Sequence, residues 1–71
     1  MTIEQIKILL GTLDFYNLKI TVDFKNCDIR IHADNFPHND VIKALSYLES
    51  KGINHGLEFH AEHGMVVIFS I

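Results

Sequence analysis

Alternating apolar and polar residues predict three strands in this chain, because a period of two gives each strand one buried face and one solvent-exposed face. The alternating stretches are 18–25, 28–34 and 57–62. A fourth stretch, 65–71, is apolar on both faces, which is typical of a strand that is central in a sheet or covered by a partner. This strand is therefore a candidate interaction surface.

Helical spacing of apolar residues precedes each pair of strands. The first helix begins after Thr2, because Gln5 three residues later completes a capping box. Its predicted apolar stripe is Ile3, Ile6, Leu9, Leu10 and Leu13. Gly11 lies inside this pattern, where it either permits close packing on the sheet or marks the last turn. The segment 14–17 is predicted to connect this helix to the first strand.

The second helix is predicted to begin near Pro37, which suits a first helical turn, with either Asn35 or Asn39 as its cap. Its apolar stripe is Val41, Ala44, Leu45 and Leu48. Gly52 is expected to end this helix in a left-handed conformation. Ile53 then packs back on the last turn, as in a Schellman motif.

Turn residues separate the two strands of each hairpin. Residues 26–27 form a predicted two-residue loop, which pairs Phe24 with Ile29 on the buried face. The second hairpin is expected to turn over 62–64, with Gly64 in the left-handed position. Both turns keep the apolar residues of the paired strands on one face, so register and face agree.

The element order is therefore α-β-β-α-β-β, which predicts a four-stranded antiparallel sheet with both helices packed on one face. This is a small α+β fold, predicted as one domain over 1–71. A chain of 71 residues with 48% hydrophobic residues is globular. At this length it buries only about 60% of the surface that the unfolded chain exposes. Part of its apolar surface is therefore expected to be buried by self-association.

Charge and cysteine content narrow the environment and the class of partner. The net charge is −3 with histidine neutral. The basic residues are spread along the chain, which disfavours direct contact with nucleic acid because phosphate recognition needs a basic patch. The single cysteine, Cys27, indicates a reducing compartment. The sequence shows neither a basic leader nor a long apolar stretch, so we expect a cytoplasmic protein that contacts no membrane.

The polar face of the sheet is the predicted partner-binding surface. Its residues are Asp23, Asp28, Arg30, His32, Glu58, His60 and Glu62. An acidic face of this kind suits electrostatic docking to a basic protein surface. On the last strand, Val66 and Ile68 project to the same side. We expect a homodimer contact through this strand, which either extends the sheet across a two-fold axis or receives a strand of a partner.

Catalytic and metal-binding chemistry receives little support from the residues. The sequence shows no phosphate loop, nucleophile elbow or HExxH pattern. A small flat sheet also offers no evident cleft for acid–base catalysis by Asp34, Asp40 or Glu58. We therefore predict no enzyme and no cofactor. His60 and His63, which flank the last turn, are the candidate metal ligands, and histidines on an acidic face also permit a response to pH near about 6.5.

Together these observations predict a non-catalytic binding protein that regulates or inhibits another macromolecule. In size, charge and class the chain is similar to phage and mobile-element accessory proteins, including anti-CRISPR inhibitors of host defence. That similarity is one of class and rests on no motif. Two alternatives remain open: a histidine-rich metal-binding or pH-responsive protein, and a nucleic-acid-associated regulator that acts as a dimer.

Overall fold

The computed structural model describes residues 1–32, 38–61 and 64–71, and it confirms the predicted order of helices and strands. The elements are α1 (Ile3–Phe15), β1 (Ile20–Asp23), β2 (Asp28–His32), α2 (His38–Ser50), β3 (Gly56–His60) and β4 (Gly64–Ser70). The predictions for 33–37, which include Asn35 as a cap and Pro37 in the first helical turn, lie outside the described residues. So do those for Glu62 and His63. Asn39 lies within α2 and does not cap it.

The four strands form one antiparallel sheet in the order β1-β2-β4-β3. β4 is therefore an interior strand, paired with β2 on one side and with β3 on the other. Its central position explains why its residues are apolar on both faces. Each half of the chain, a helix followed by two strands, places its first strand at an edge and its second strand in the interior.

The core lies between one face of the sheet and the two helices. Its residues are Leu9, Leu13, Leu18, Ile29, Ile31, Val41, Ala44, Leu48, Ile53, Val67 and Phe69. Side chains from both helices belong to this single cluster, so both helices cover the same face of the sheet, as predicted. Each fully buried aliphatic or aromatic side chain of this kind contributes roughly 1.5–3 kcal/mol.

The buried face of α1 differs from the predicted stripe. Leu9 and Leu13 are buried, as expected, but Ile3 and Leu10 are exposed, and Thr12 occupies a buried position instead. A threonine is tolerated there because its hydroxyl donates a hydrogen bond to the carbonyl oxygen one turn earlier, at 2.7 Å. The predicted stripe is therefore correct at Leu9 and Leu13 and wrong at Ile3 and Leu10.

Two helix ends follow the prediction. At the start of α1, the Gln5 N–H donates to the Thr2 hydroxyl at 3.1 Å, and the Thr2 N–H donates to the Gln5 side-chain oxygen at 2.9 Å. These bonds confirm the capping box. At the end of α2, Gly52 has a φ of +78°, and the Ile53 N–H donates to the Leu48 carbonyl oxygen at 3.0 Å. This geometry confirms the Schellman motif.

The helix α1 is longer than the sequence predicts. It continues to Phe15, into the segment predicted as a connection. It then ends in a second Schellman motif, in which Asn17 has a φ of +56° and the Leu18 N–H donates to the Leu13 carbonyl oxygen at 2.8 Å. Asparagine adopts this left-handed conformation more readily than most residues do, so the motif forms without glycine.

The first hairpin turn is longer than predicted. Val22 pairs with Ile29, so the turn contains the four residues 24–27 and leaves Phe24 86% exposed. The physical reason is Asp23, whose carboxylate accepts hydrogen bonds from the backbone N–H groups that follow it and so ends the strand early. The register shifts by two residues, which leaves every paired side chain on its predicted face.

The second hairpin shows a similar shift. Phe59 pairs with Met65, whereas a loop over 62–64 pairs Ala61 with that methionine. Gly64 has a φ of +68°, which confirms the predicted left-handed glycine. The apolar residues of β3 therefore remain on the face that the helices cover.

Candidate binding face on the open side of the sheet

The open face is the side of the sheet that points away from the helices. Its side chains are those of Thr21, Asp23, Asp28, Arg30, His32, Glu58, His60, Val66, Ile68 and Ser70. In the register of the sheet, Val66 lies between His32 and Glu58, and Ile68 lies beside Arg30. Six of the seven predicted partner-binding residues are on this face, because the period of two assigned the faces correctly.

Arg30 and Asp28 form an ion pair on the open face. They lie two residues apart on β2, so their side chains project to the same side. The Arg30 Nε lies 3.1 Å from Asp28 Oδ1, and Nη2 lies 3.2 Å from Oδ2, which is the bidentate geometry of a strong charge-assisted pair. These hydrogen bonds to Asp28 are the main reason why the pKa of Arg30 is raised.

A second carboxylate, that of Asp23, lies directly opposite Asp28 in the β1–β2 pair. Opposed like charges repel, but hydrogen bonds stabilise the negative charge of Asp23. Asp23 Oδ1 accepts from the N–H groups of Lys25 and Asn26 at 3.0 and 3.1 Å, and Oδ2 accepts from Asn26 Nδ2 at 2.8 Å. Arg30 Nη2 lies 3.9 Å from Oδ2. The backbone hydrogen bond from Asn26 is the largest cause that lowers the pKa of Asp23, so this carboxylate is negative at neutral pH.

Glu58 joins the group from the far side of β4. Its Oε2 lies 3.8 Å from Arg30 Nη1 and 2.9 Å from His60 Nε2. Since β2 and β3 are the neighbours of β4, the Arg30 and Glu58 side chains meet above β4. We call Asp23, Asp28, Arg30 and Glu58 the Arg30 cluster. Three negative charges and one positive charge give this cluster a net charge of −2.

The predicted extension of the sheet through β4 is wrong. Both edges of β4 are paired within the chain, so this strand cannot extend the sheet across a two-fold axis. Val66 is only 2% exposed, because side chains of the flanking strands, including Arg30 and Glu58, meet above β4. Ile68 is half-buried. A homodimer that extends the sheet therefore requires an edge strand.

The metal alternative gains no support from the described part of the chain. Among these residues, no group of three His, Cys, Asp or Glu side chains could hold a metal ion. His60 contacts Glu58, and the other candidate ligand, His63, lies outside the described residues. Cys27 is exposed in the first turn, with its Sγ 3.7 Å from the Phe24 carbonyl oxygen.

An aromatic cleft lined by both helices is not apparent from the sequence. Its volume is about 390 Å³, and its lining residues are Ile8, Gly11, Thr12, Phe15, Tyr16 and Tyr47. The Phe15 and Tyr16 rings meet edge to face with their centres 5.0 Å apart, and Lys51 Nζ lies 5.6 Å from the centre of the Tyr47 ring. Apart from its chain neighbours and the nearby backbone of its own helix, no described atom comes within 4 Å of the place where a Cβ of Gly11 would stand. Neither close packing nor a helix end therefore explains this glycine.

Comparison with known proteins identifies no relative. The chain matches no protein-family model, no curated protein and no solved structure. Within the described residues, neither helix is both long enough and apolar enough to cross a membrane. The functional argument therefore depends on the geometry and charge of the surface.

Proposed function

We propose that this chain is a non-catalytic binding module that docks its open face on the basic surface of another protein and thereby regulates or inhibits it. The observation that supports this most is the Arg30 cluster. It gathers three carboxylates from three strands around one guanidinium, and its net charge is negative. Such a surface attracts a basic partner and orients it before contact.

The carboxylates of the Arg30 cluster differ in their accessibility to a partner. The Glu58 side chain is 45% exposed, compared with 28% for Asp23 and 10% for Asp28. Asp28 accepts hydrogen bonds from Nε and Nη2 of Arg30, whereas Glu58 lies 3.8 Å from Nη1, beyond hydrogen-bond distance. Glu58 is therefore the carboxylate with which an arginine or lysine of a partner would pair most readily.

The strands beneath the Arg30 cluster hold it in place before any partner binds. Asp28 and Arg30 are on β2, which is paired on both sides, and Glu58 is on β3, paired to β4. Binding to residues that are already ordered costs less entropy than binding to a loop. The rate of association should fall as salt is added, because the attraction is screened over about 10 Å at 0.1 M ionic strength.

The negative charge of the Arg30 cluster indicates how docking would inhibit a partner. A protein that binds a polyanion does so with a basic surface, and an acidic face docked there blocks that surface. The proposed partner is therefore a protein with a basic, polyanion-binding surface, which agrees with the predicted similarity in class to phage inhibitors. We place this activity in the cytoplasm, since an exposed free thiol at Cys27 suits a reducing compartment.

Affinity capture from a lysate of the encoding organism, followed by mass spectrometry and nucleic-acid staining, tests the proposal. The wild-type chain is expected to retain one stoichiometric protein and to release it as salt is added. Glu58→Lys places a positive charge next to Arg30, so its capture of that protein should fall at least tenfold, roughly the effect of losing 1.4 kcal/mol of binding.

The matched control is Asp14→Lys, which changes the net charge by the same amount at an exposed site on α1. Circular dichroism checks that both variants are folded. If both variants lose the partner equally, net charge rather than the open face determines binding, and the proposal fails. Retention of nucleic acid without protein would instead favour the regulator that contacts nucleic acid.

A further inference from the structure

β3 is an edge strand whose second side faces no strand among the described residues. All five of its residues are exposed. On the side that the helices cover, Phe59 is 78% exposed and Leu57 is 48% exposed, because the core cluster does not extend to this edge. An edge with unpaired backbone groups and apolar side chains is a template for another strand.

The direction of the backbone groups on β3 follows from the neighbouring ladder. The Ile71 N–H donates to the Cys27 carbonyl oxygen at 3.0 Å. Odd-numbered residues of β4 therefore direct their backbone groups toward β2, and even-numbered ones direct theirs toward β3, since direction alternates along an antiparallel strand. The residues opposite those even positions are also even-numbered. It follows that Leu57 and Phe59 direct their N–H and C=O groups outward.

The other edge of the sheet is better protected. Lys19 directly precedes β1, and lysine near an edge strand discourages pairing with another chain. The apolar residues of β1 are also less exposed, at 40% for Ile20 and 38% for Val22. β3 contains no lysine, and Phe59 is twice as exposed as either of those residues. The free edge that favours association is therefore β3.

We propose that β3 pairs in antiparallel fashion with β3 of a second copy of this chain, centred on Phe59. In this register the two Phe59 rings lie opposite each other on the helix-covered side. On the open face, Glu58 lies opposite His60 of the partner subunit, and His60 lies opposite Glu58 of the partner subunit. The outward N–H and C=O groups of Phe59 face those of Phe59 in the second copy, so the hydrogen bonds of the ladder form between the two chains.

Charge and apolar contact select this register from the others that the backbone permits. Centring the pair on Glu58 would place two negative carboxylates directly opposite each other, which is unfavourable. Centring it on Leu57 would move Phe59 to the margin, opposite His55 of the partner subunit. Only the register centred on Phe59 pairs both rings and places an imidazole opposite each carboxylate.

The resulting dimer has one continuous eight-stranded sheet with its helices on one side. The two open faces join into one surface with two Arg30 clusters, which would give two-site binding to a partner of matching symmetry. The dimer itself does not depend on the proposed function, because it requires no basic partner. Five residues from each copy bury a small area, so we expect an association that varies with concentration.

Sedimentation equilibrium from about 10 µM to about 1 mM tests the proposal in a range suited to a weak dimer. The wild-type mass should rise from that of one 8.1 kDa chain toward twice that value. Phe59→Lys should weaken the association at least tenfold. The matched control, Val22→Lys on the other edge, should associate like the wild type. Circular dichroism and thermal unfolding check that both variants are folded.

Charge exchange tests the register. His60→Glu places carboxylates opposite each other and should weaken the dimer, and adding Glu58→Lys to it should restore association. A wild-type mass that stays at one chain overturns the proposal. So does an association that Val22→Lys abolishes and Phe59→Lys leaves intact, since that would place the contact at β1. Dimers that resist both lysine variants would also overturn it.

Discussion

The two halves of the chain form the same unit from different residues. In each half, a helix of thirteen residues ends in a Schellman motif and is followed by an edge strand and an interior strand. Leu18 donates its backbone N–H to Leu13 in the first half, as Ile53 does to Leu48 in the second. All four side chains are buried. The shared features are therefore those that a common core requires.

The halves differ where the chain meets solvent. The Asp23 carboxylate closes the first turn, whereas Gly64, with a φ of +68°, closes the second. Lys19 flanks the edge strand of the first half, and Phe59 is exposed on that of the second. Turns and edges tolerate such changes because they leave the core intact. Asp23 of the Arg30 cluster lies beside the first turn, and the exposed Phe59 lies on the edge strand of the second half.

The largest expected effect is a loss of stability when the core that both halves share is disrupted. Leu13→Ala and Leu48→Ala each remove a side chain that is at most 1% exposed, from equivalent places near the end of each helix. Each should lower the free energy of unfolding by about 3 kcal/mol, because a cavity remains between helix and sheet. Urea denaturation measures both values.

Leu10→Ala is the control, since the same change occurs on the same helix at a residue that is 38% exposed. It should cost less than about 1 kcal/mol. A cost as large as that of Leu13→Ala would contradict the observed packing of α1. A difference of more than about 2 kcal/mol between Leu13→Ala and Leu48→Ala would show that the halves contribute unequally to the core.

Substitutions at the two helix ends should change the stability by a smaller amount. Gly52→Ala forces an alanine into a φ of +78° and should destabilise the fold by about 1 kcal/mol. Asn17→Gly relieves a φ of +56° and should stabilise it by about 0.5 kcal/mol. Thermal unfolding resolves both signs. Equal signs for the two variants would mean that left-handed geometry does not determine how the halves end.

Much of the fold was predictable because local patterns determine it. The period of two assigned the faces of the strands, and Gly52 marked the end of α2. The errors have local causes as well. The hydrogen-bonding of the Asp23 side chain lengthens the first turn, and Asn17 ends a helix in the way that glycine does. Both residues change the local course of the backbone through their own polar character. The spacing of apolar residues does not detect such effects.

The membership of the open face was predictable, but its geometry was not. Glu58 and Arg30 meet above β4, which requires a strand order that the sequence leaves open. The same order buries Val66, although its place in an apolar strand suggested a contact surface. Long-range pairing is decided by the whole core rather than by the residues of one strand.

The smallest expected effect distinguishes the two turns by their response to acid. The backbone hydrogen bond from Asn26 is the main reason why the pKa of Asp23 is lowered in the fold. At a pH between the lower pKa of Asp23 in the folded chain and its higher pKa in the unfolded chain, the unfolded chain binds more protons. The stabilisation that this carboxylate provides is therefore complete at neutral pH. It is lost below about pH 4, as pH falls through the folded value. In an NMR titration the Asn26 amide should shift in that range, whereas the Gly64 amide should not.

Asp23→Asn separates the turn from the general effect of acid. The side-chain oxygen of asparagine still accepts hydrogen bonds from the turn, but it does not titrate. In this variant the Asn26 amide should be insensitive to pH, and the stability difference from wild type should shrink as pH falls below about 4. An Asn26 shift that persists in the variant would assign the titration to another carboxylate, of which Asp28, directly opposite, is the nearest in register. The first turn would then be no more acid-sensitive than the second.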